Sequence, residues 1–192
     1  MFLRLQCRRF SFTYPVPKSL REVAKVQLLQ QRDPETIKQL WNAQFAEKRE
    51  VVTTSMSVKA YETLSFNSKS APMFILPVKR GSGSYFNAIL QFASKSVLYT
   101  SVDSFKAKGL PNSEPYFILT FFDELAHRDV VLVRGDVINT RDVSKENARA
   151  LMDNTIMFYT DFNLFQWVKT FNKRPQEFDY EEFKRKCSKL FV

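Results

Sequence analysis

Residues 72–92, PMFILPVKRGSGSYFNAILQF, decide the fold, because they join two apolar runs through a basic loop rich in glycine and serine. The run at 73–76 is almost continuously apolar, which is typical of a strand covered on both faces. The run at 85–92 alternates between apolar residues and the polar Asn87 and Gln91, as a strand with one wetter face does. The stretch therefore predicts two strands with a loop between them.

The chain continues as sheet beyond this stretch. Apolar runs at 116–122 and 130–133 predict two further strands, and residues 97–102 predict another. We expect the runs at 73–76, 116–122 and 130–133 to be central strands, since both faces of each run are apolar. Residues 123–128 between them are typical of a helical turn.

The N-terminal part of the chain has the pattern of amphipathic helices. Apolar residues recur at helical spacing in residues 19–31. A second helix is predicted after Asp33, an N-cap residue, and Pro34, which suits the first helical position. Residues 58–64 predict a short third helix.

Helical patterns return near the C-terminus, where Ser144, Asp161 and Asp179 are candidate N-caps of three further helices. Helices before and after a compact set of strands favour an α+β fold. We therefore predict a single α+β domain whose central sheet, largely antiparallel or mixed, is flanked by N-terminal and C-terminal helices.

The first 21 residues contain five Arg or Lys and no acidic residue, a composition typical of a mitochondrial transit peptide. The two arginines before Phe10 indicate cleavage after that residue. We expect a leader at 1–18, amphipathic helices at 19–50 and the α+β domain at 51–192, and the mature chain remains basic.

No motif for catalysis or cofactor binding stands out. The loop VKRGSGS lacks the GK[ST] of a phosphate-binding loop, so a mobile connection between strands is favoured over a phosphate site. His127 is the only histidine and has the pattern of a surface residue at the end of a short helix. Without Cys7 of the leader, Cys187 is the sole cysteine, which excludes a disulfide framework and a cysteine metal site. We expect no cofactor and no metal, and an enzyme is disfavoured.

Composition gives no sign of a membrane span and leaves RNA binding open as one function. Hydrophobic residues make up 44% of the 192 residues, yet no apolar run approaches the roughly 18 residues that span a bilayer. The formal net charge of +9 and an aromatic content of 15% would suit RNA binding. The basic residues are dispersed and no RNP-type sequence occurs, so a basic mitochondrial RNA-binding protein is the second hypothesis.

Five short motifs occur in a fixed order along the chain. They are PMFILPVKR with Pro72, Phe74 and Pro77, then Gln91 and Phe92, LVRGD with Leu132, Arg134, Gly135 and Asp136, MFYTD with Phe158 and Tyr159, and FNKRPQEF with Phe171, Asn172, Pro175 and Phe178. In order and spacing they resemble the mitochondrial ATP synthase assembly factors that chaperone the free catalytic beta subunit of the F-type ATPase. The likeness covers residues 36–190.

The resemblance implies an assembly chaperone of the mitochondrial matrix whose partner is the unassembled beta subunit, without nucleic acid or a membrane span, and we expect a monomer. Its task would be to shield the alpha-facing surface of beta from aggregation until alpha displaces it. Groups at strand ends are the candidate contacts: Lys79, Arg80, Tyr85 and Arg134, with Phe86 as an anchor. Arg134 could equally be a structural residue that pairs with a nearby acid.

Overall fold

Strand pairing organises the molecule, which we describe from a computed structural model that covers residues 18–79, 85–109 and 112–191. Six strands form one sheet in the order β1-β6-β5-β4-β3-β2, and every pairing is antiparallel. The strands are β1 (Val51–Met56), β2 (Met73–Lys79), β3 (Tyr85–Ala93), β4 (Ser96–Ser101), β5 (Phe117–Phe122) and β6 (Val131–Val137). The predicted α+β fold is confirmed, with an antiparallel rather than a mixed sheet.

Eight α-helices flank the sheet in the described part of the chain. They are α1 (Leu20–Val23), α2 (Val26–Leu29), α3 (Pro34–Phe45), α4 (Val58–Ser70), α5 (Val102–Lys108), α6 (Lys145–Thr160), α7 (Phe162–Lys173) and α8 (Tyr180–Lys186). Short 3-10 turns lie at Ala126–Arg128, Pro175–Glu177 and Ser188–Leu190. No helix among the described residues has the length and apolar content needed to cross a membrane.

The predicted N-caps are confirmed, and each satisfies backbone N–H groups that the first turn leaves unpaired. The Asp33 carboxylate accepts from the Thr36 N–H at 3.0 Å, and Asp161 accepts from the first turn of α7. Ser144 and Asp179 accept in the same way at α6 and α8. These caps fix where four of the flanking helices begin.

The two faces of the sheet bury two separate cores. α4, α6, α7 and α8 cover one face, where Phe74 is fully buried among four phenylalanine rings with centroids 5.2–6.2 Å away. α1, α2 and α3 cover part of the other face, where Trp41 of α3 and Leu132 of β6 are also fully buried. The Trp41 indole donates to the carbonyl of Val133 at 3.1 Å, so the N-terminal helices are tied to the sheet as well as packed on it.

The prediction that residues 73–76 form a central strand is wrong, because β2 is an edge strand. The runs at 116–122 and 130–133 do lie inside the sheet. The physical reason is that α6 and α7 pack against β2, so helices rather than strands provide its cover. Pro77 was the sequence signal for an edge, since a residue without an N–H is tolerated where no ladder partner follows.

The N-terminal prediction needs three further corrections. Residues 19–31 do not form one helix, because the backbone is extended at Ala24 (φ −149°, ψ 157°) and the chain restarts as α2. Leu28, one of the apolar residues that recur at helical spacing in this stretch, is 56% exposed. Strand β1 was not predicted, and α4 continues to Ser70 instead of ending near residue 64.

Two predictions fall outside the described residues: the leader cleaved after Phe10, and the loop at 80–84, which includes Arg80. Both stay predictions.

Candidate functional site

The free end of the β2–β3 hairpin brings together two of the predicted contact residues. Lys79 and Tyr85 are direct cross-strand partners, and both are exposed, Tyr85 to 42%. Lys184 of α8 adds a second cation, with Nζ 5.3 Å from the centre of the Tyr85 ring. Asn147 of α6 donates to the Lys79 carbonyl at 2.9 Å and fixes the strand end. This hairpin corner is an exposed, basic and aromatic surface.

Phe86 lies beside this corner but faces the interior. Its side chain is 6% exposed, and its ring centroid is 5.9 Å from that of Tyr116. The ring belongs to the core that α6, α7 and α8 cover. A partner could reach Phe86 only if the hairpin opened.

Arg134 is engaged within the fold. Its guanidinium donates twice to the Asp136 carboxylate, from Nη2 at 2.5 Å and from Nε at 3.0 Å. It also lies 4.9 Å from the centre of the Phe45 ring on α3. Arg134 and Asp136 are two residues apart on one strand, so their side chains share a face. The structure therefore shows the alternative that the sequence left open, in which Arg134 pairs with a nearby acid.

Arg134 also lies far from the hairpin corner. Cross-strand partners follow from it through Thr120 and Ser96 to Ala93 on β3. Ala93 is eight residues from Tyr85 on the same strand. Measured along the sheet, with strands about 4.8 Å apart and about 3.3 Å per residue, the path between the two sites is about 30 Å. Because α6 packs against both edge strands, β1 and β2, the sheet curls and the direct distance is shorter.

An exposed apolar surface that the sequence reasoning missed lies where α4 meets the junction of α6 and α7. Phe66 is 75% exposed, Phe162 79% and Met157 38%. The Asn67 amide donates to the carbonyl of Tyr159 at 2.9 Å, which joins the end of α4 to the end of α6. We call Phe66, Met157 and Phe162 the aromatic patch. Its signal in the sequence is a large apolar residue off the buried stripe of an amphipathic helix.

A second, smaller apolar surface lies between α1, α2 and α3. Leu28 and Leu40 are 56% and 47% exposed there, beside a groove of about 490 Å³. Arg21 and Lys25 border the groove.

Chemistry-bearing side chains do not converge in the described residues. These residues contain no group of three or more His, Cys, Asp or Glu that could hold a metal ion. His127 is exposed within the 3-10 turn Ala126–Arg128, so the predicted surface position is observed. Cys187 is buried, and burial raises the pKa of its thiol, which keeps it protonated at neutral pH.

Several residues of the five motifs have structural roles. Gly135 on β6 leaves room for the Phe117 ring, since a Cβ there would lie 2.3 Å from the ring's Cζ. Asn172 of α7 accepts from the Met73 N–H at 3.1 Å and donates to the Met73 carbonyl at 2.5 Å. It thus occupies an outward backbone pair of edge strand β2, and Pro77 offers no N–H at another outward position.

Comparison with known proteins gives consistent matches. The family model described as ATP11 protein matches residues 11–183. The chain is similar to ATP synthase mitochondrial F1 complex assembly factor 1 of Danio rerio, with 24% identity over 85% of this chain and 54% of the relative. The Homo sapiens and Mus musculus proteins of that name are 23% and 24% identical, over 85% of this chain and 49% and 50% of the relatives. The chain thus spans about half the length of the curated relatives it matches. Because the family model matches most of its residues, the chain belongs to the ATP11 protein family.

Proposed function

We propose that this protein is a chaperone for assembly of the catalytic F1 part of mitochondrial ATP synthase. It acts in the mitochondrial matrix without catalysing a reaction, and its client is the unassembled catalytic beta subunit. The observation that carries the proposal is the family match over residues 11–183, together with relatives named F1 complex assembly factor 1.

The physical argument starts from the client. An unassembled subunit exposes the apolar surface that its neighbour will later cover, and exposed surfaces of that kind drive aggregation. A small protein with exposed aromatic and basic side chains can cover such a surface, since interfaces are enriched in these residue types. The chain offers both types, in the aromatic patch and in Lys79, Tyr85 and Lys184 at the hairpin corner.

Release also follows from the surface. Area buried on binding is offset by lost motion and by desolvation of polar groups, so a modest contact need not be permanent. The alpha subunit, which covers the same surface of beta more extensively, can then displace the chaperone. The positive charge of the chain speeds encounter with an acidic client more than it raises affinity.

The direct experiment is dilution of denatured beta subunit into buffer with increasing amounts of the purified chain. We expect light scattering to be suppressed at about one chaperone per client, in the absence of ATP. Undiminished aggregation at a molar excess of the chain would refute the proposal. Capture of RNA instead of beta, with a steep salt dependence, would support the RNA-binding alternative. ATP hydrolysis that survives repurification and is lost on a point mutation would make the protein an enzyme.

Contact at the hairpin corner is tested with Lys79→Ala/Arg80→Ala. We expect weaker capture of beta with an unchanged fold, because Lys79 stands at the strand end beside Tyr85 and Arg80 follows it in sequence. The matched control is Lys25→Ala/Arg32→Ala, which removes the same charge from exposed positions between the N-terminal helices. If both variants capture as much beta as the wild-type protein does, the hairpin corner is a turn without a contact role.

A further inference from the structure

Phe66 and Phe162 are the two most exposed large apolar side chains in the described part of the chain, at 75% and 79%. The Asn67 amide bonds to the carbonyl of Tyr159, three residues before Phe162, so the end of α4 that carries Phe66 lies beside the end of α6. With 3.8 Å between consecutive Cα atoms, this contact places the Cα atoms of Phe66 and Phe162 within about 20 Å. Met157, 38% exposed, lies in the last turn of α6. Three exposed large apolar side chains therefore lie in this region of the surface.

We propose that the aromatic patch is the surface that holds the client, and that it binds an apolar surface of the unassembled beta subunit whose rim carries charges of both signs. This inference rests on the function proposed above and adds the contact site. It differs from the hairpin corner, which the sequence pointed to.

The patch is held rigidly, which favours binding because little motion is lost. The Asp161 carboxylate caps α7 by accepting from the N–H groups of Asn163 and Leu164, both at 2.9 Å. This cap holds the backbone of Phe162, the first residue of α7, in place. The bond from Asn67 holds the end of α4 against α6. The two aromatic rings and the Met157 side chain are presented by three helices rather than by loops.

The size of the patch fits a transient partner. From the exposed fractions and aromatic side-chain areas of 150–250 Å², the patch exposes about 400 Å² of apolar surface. That is within the range of the largest apolar patches on monomers, which are often functional. It is about half of the roughly 800 Å² per partner of a stable complex, so a permanent dimer of this chain is disfavoured.

The charges around the patch select the kind of partner. Phe162, Gln166, Lys169 and Lys173 follow one another at helical spacing along the exposed side of α7, and Lys69 follows Phe66 on α4. Within the described ranges, none of these three lysines forms an ion pair. These lysines can pair with carboxylates at the rim of a partner's apolar surface, and the carboxylates beside the patch can pair with cations there.

Nucleic acid is disfavoured as the occupant. Exposed phenylalanines beside lysines can stack on bases, but exposed carboxylates also lie on these helix segments. Glu62 is four residues before Phe66, Asp153 is four residues before Met157, and Asp161 precedes Phe162. These carboxylates would repel a phosphate backbone that followed the patch.

The patch and the hairpin corner can be tested separately, since they lie at opposite ends of α6. Asn147 bonds to Lys79 near the start of the helix, and Tyr159 accepts from Asn67 near its end. Twelve residues at about 1.5 Å each separate these contacts by about 18 Å.

The test compares Phe66→Ala/Phe162→Ala with wild-type protein for binding to immobilised, purified beta subunit. The matched control is Leu28→Ala/Leu40→Ala, which removes apolar surface from similarly exposed positions on the N-terminal helices. We expect the patch variant to bind about 30- to 100-fold more weakly, since one anchoring aromatic residue typically contributes about tenfold or more. The control should stay within about threefold of wild type, and both variants should keep the wild-type circular dichroism and melting temperature.

The outcomes separate the two proposals. If wild-type chain does not bind beta, the proposed function fails. If wild-type binds and the patch variant binds equally well, the patch inference fails and the function stands. Loss of binding in the control variant alone would move the site to the N-terminal groove and overturn the inference. Loss of RNA capture, or of self-association, in the patch variant while beta binding persists would overturn the identity of the partner.

A second measurement tests the inference if the patch variant fails to fold. Phe162→p-benzoylphenylalanine keeps an aromatic group at the position and should form a photo-crosslink to beta. Absence of the crosslink, in a folded protein that still binds beta, would overturn the inference.

Discussion

Gly135→Ala should destabilise the protein strongly, because the site has no room for a methyl group. A Cβ built on Gly135 would lie 2.3 and 2.5 Å from two ring carbons of Phe117, and 2.8 Å from Cγ2 of Val52. The Phe117 ring is fully buried and packs 5.1 Å from the ring of Tyr99, so it cannot swing aside into solvent. Relief requires movement of strand β5 or β6.

The expected loss in unfolding free energy is about 3 kcal/mol, the upper part of the range for overpacked cores. For a domain of this size, that lowers the melting temperature by about 6–12 °C. Thermal unfolding followed by circular dichroism measures the effect. Phe117→Leu in the same background should relieve the contact, so the double variant should be about 1–2 kcal/mol more stable than the sum of the two single effects. A melting temperature within about 2 °C of wild type for Gly135→Ala, or strictly additive effects, would refute the reasoning.

Three other predictions concern the edge strand, high pH and a helix cap. Asn172→Ala leaves the Met73 N–H and carbonyl unpaired and should cost about 2 kcal/mol. Light scattering should also show self-association through the opened edge, and a monomer of wild-type stability would contradict the role. Burial raises the pKa of Tyr99, more than its hydrogen bond with Thr155 lowers it. The unfolded state therefore ionises first, and unfolding free energy should fall as pH rises above about 10, the tyrosine value in unfolded chains. Tyr99→Phe should flatten this fall in denaturant titrations at several pH values, and an equal slope would contradict it. Asp33→Ala should lower the midpoint of chemical denaturation, through loss of the α3 cap, and no change in the midpoint would count against the cap.

Elements with a strong local signal could be predicted from the sequence. Strand β3 follows its alternating pattern, and α6 begins after Ser144 with Ala148, Leu151 and Met152 buried as the spacing indicated. Strand β1 was missed because VVTTSM has a weak pattern, and its burial comes from neighbours far away in sequence. The break at Ala24 was missed because the local periodicity of 19–31 continues through it.

The candidate site was only partly predictable. Lys79 and Tyr85 flank a loop, and a hairpin necessarily brings such residues together. Arg134 and Phe86 were also candidate contacts, with a structural pairing left open for Arg134, and contacts with Asp136, Phe45 and Tyr116 occupy them. The contact roles of the sequence-derived residues stay predictions.

The sequence by itself determined the α+β class, most helix starts and the family, because these depend on local periodicity, capping residues and motif order. Only the tertiary structure decided which strands lie at the edge and which aromatic rings stay in solvent. Of the many phenylalanines, Phe74 is enclosed by other rings and Phe66 is left outside. Both sit in ordinary elements of secondary structure. The difference is burial by elements distant in sequence. Local signals such as Pro77, or the position of Phe66 off the buried stripe of its helix, agree with that burial but do not determine it.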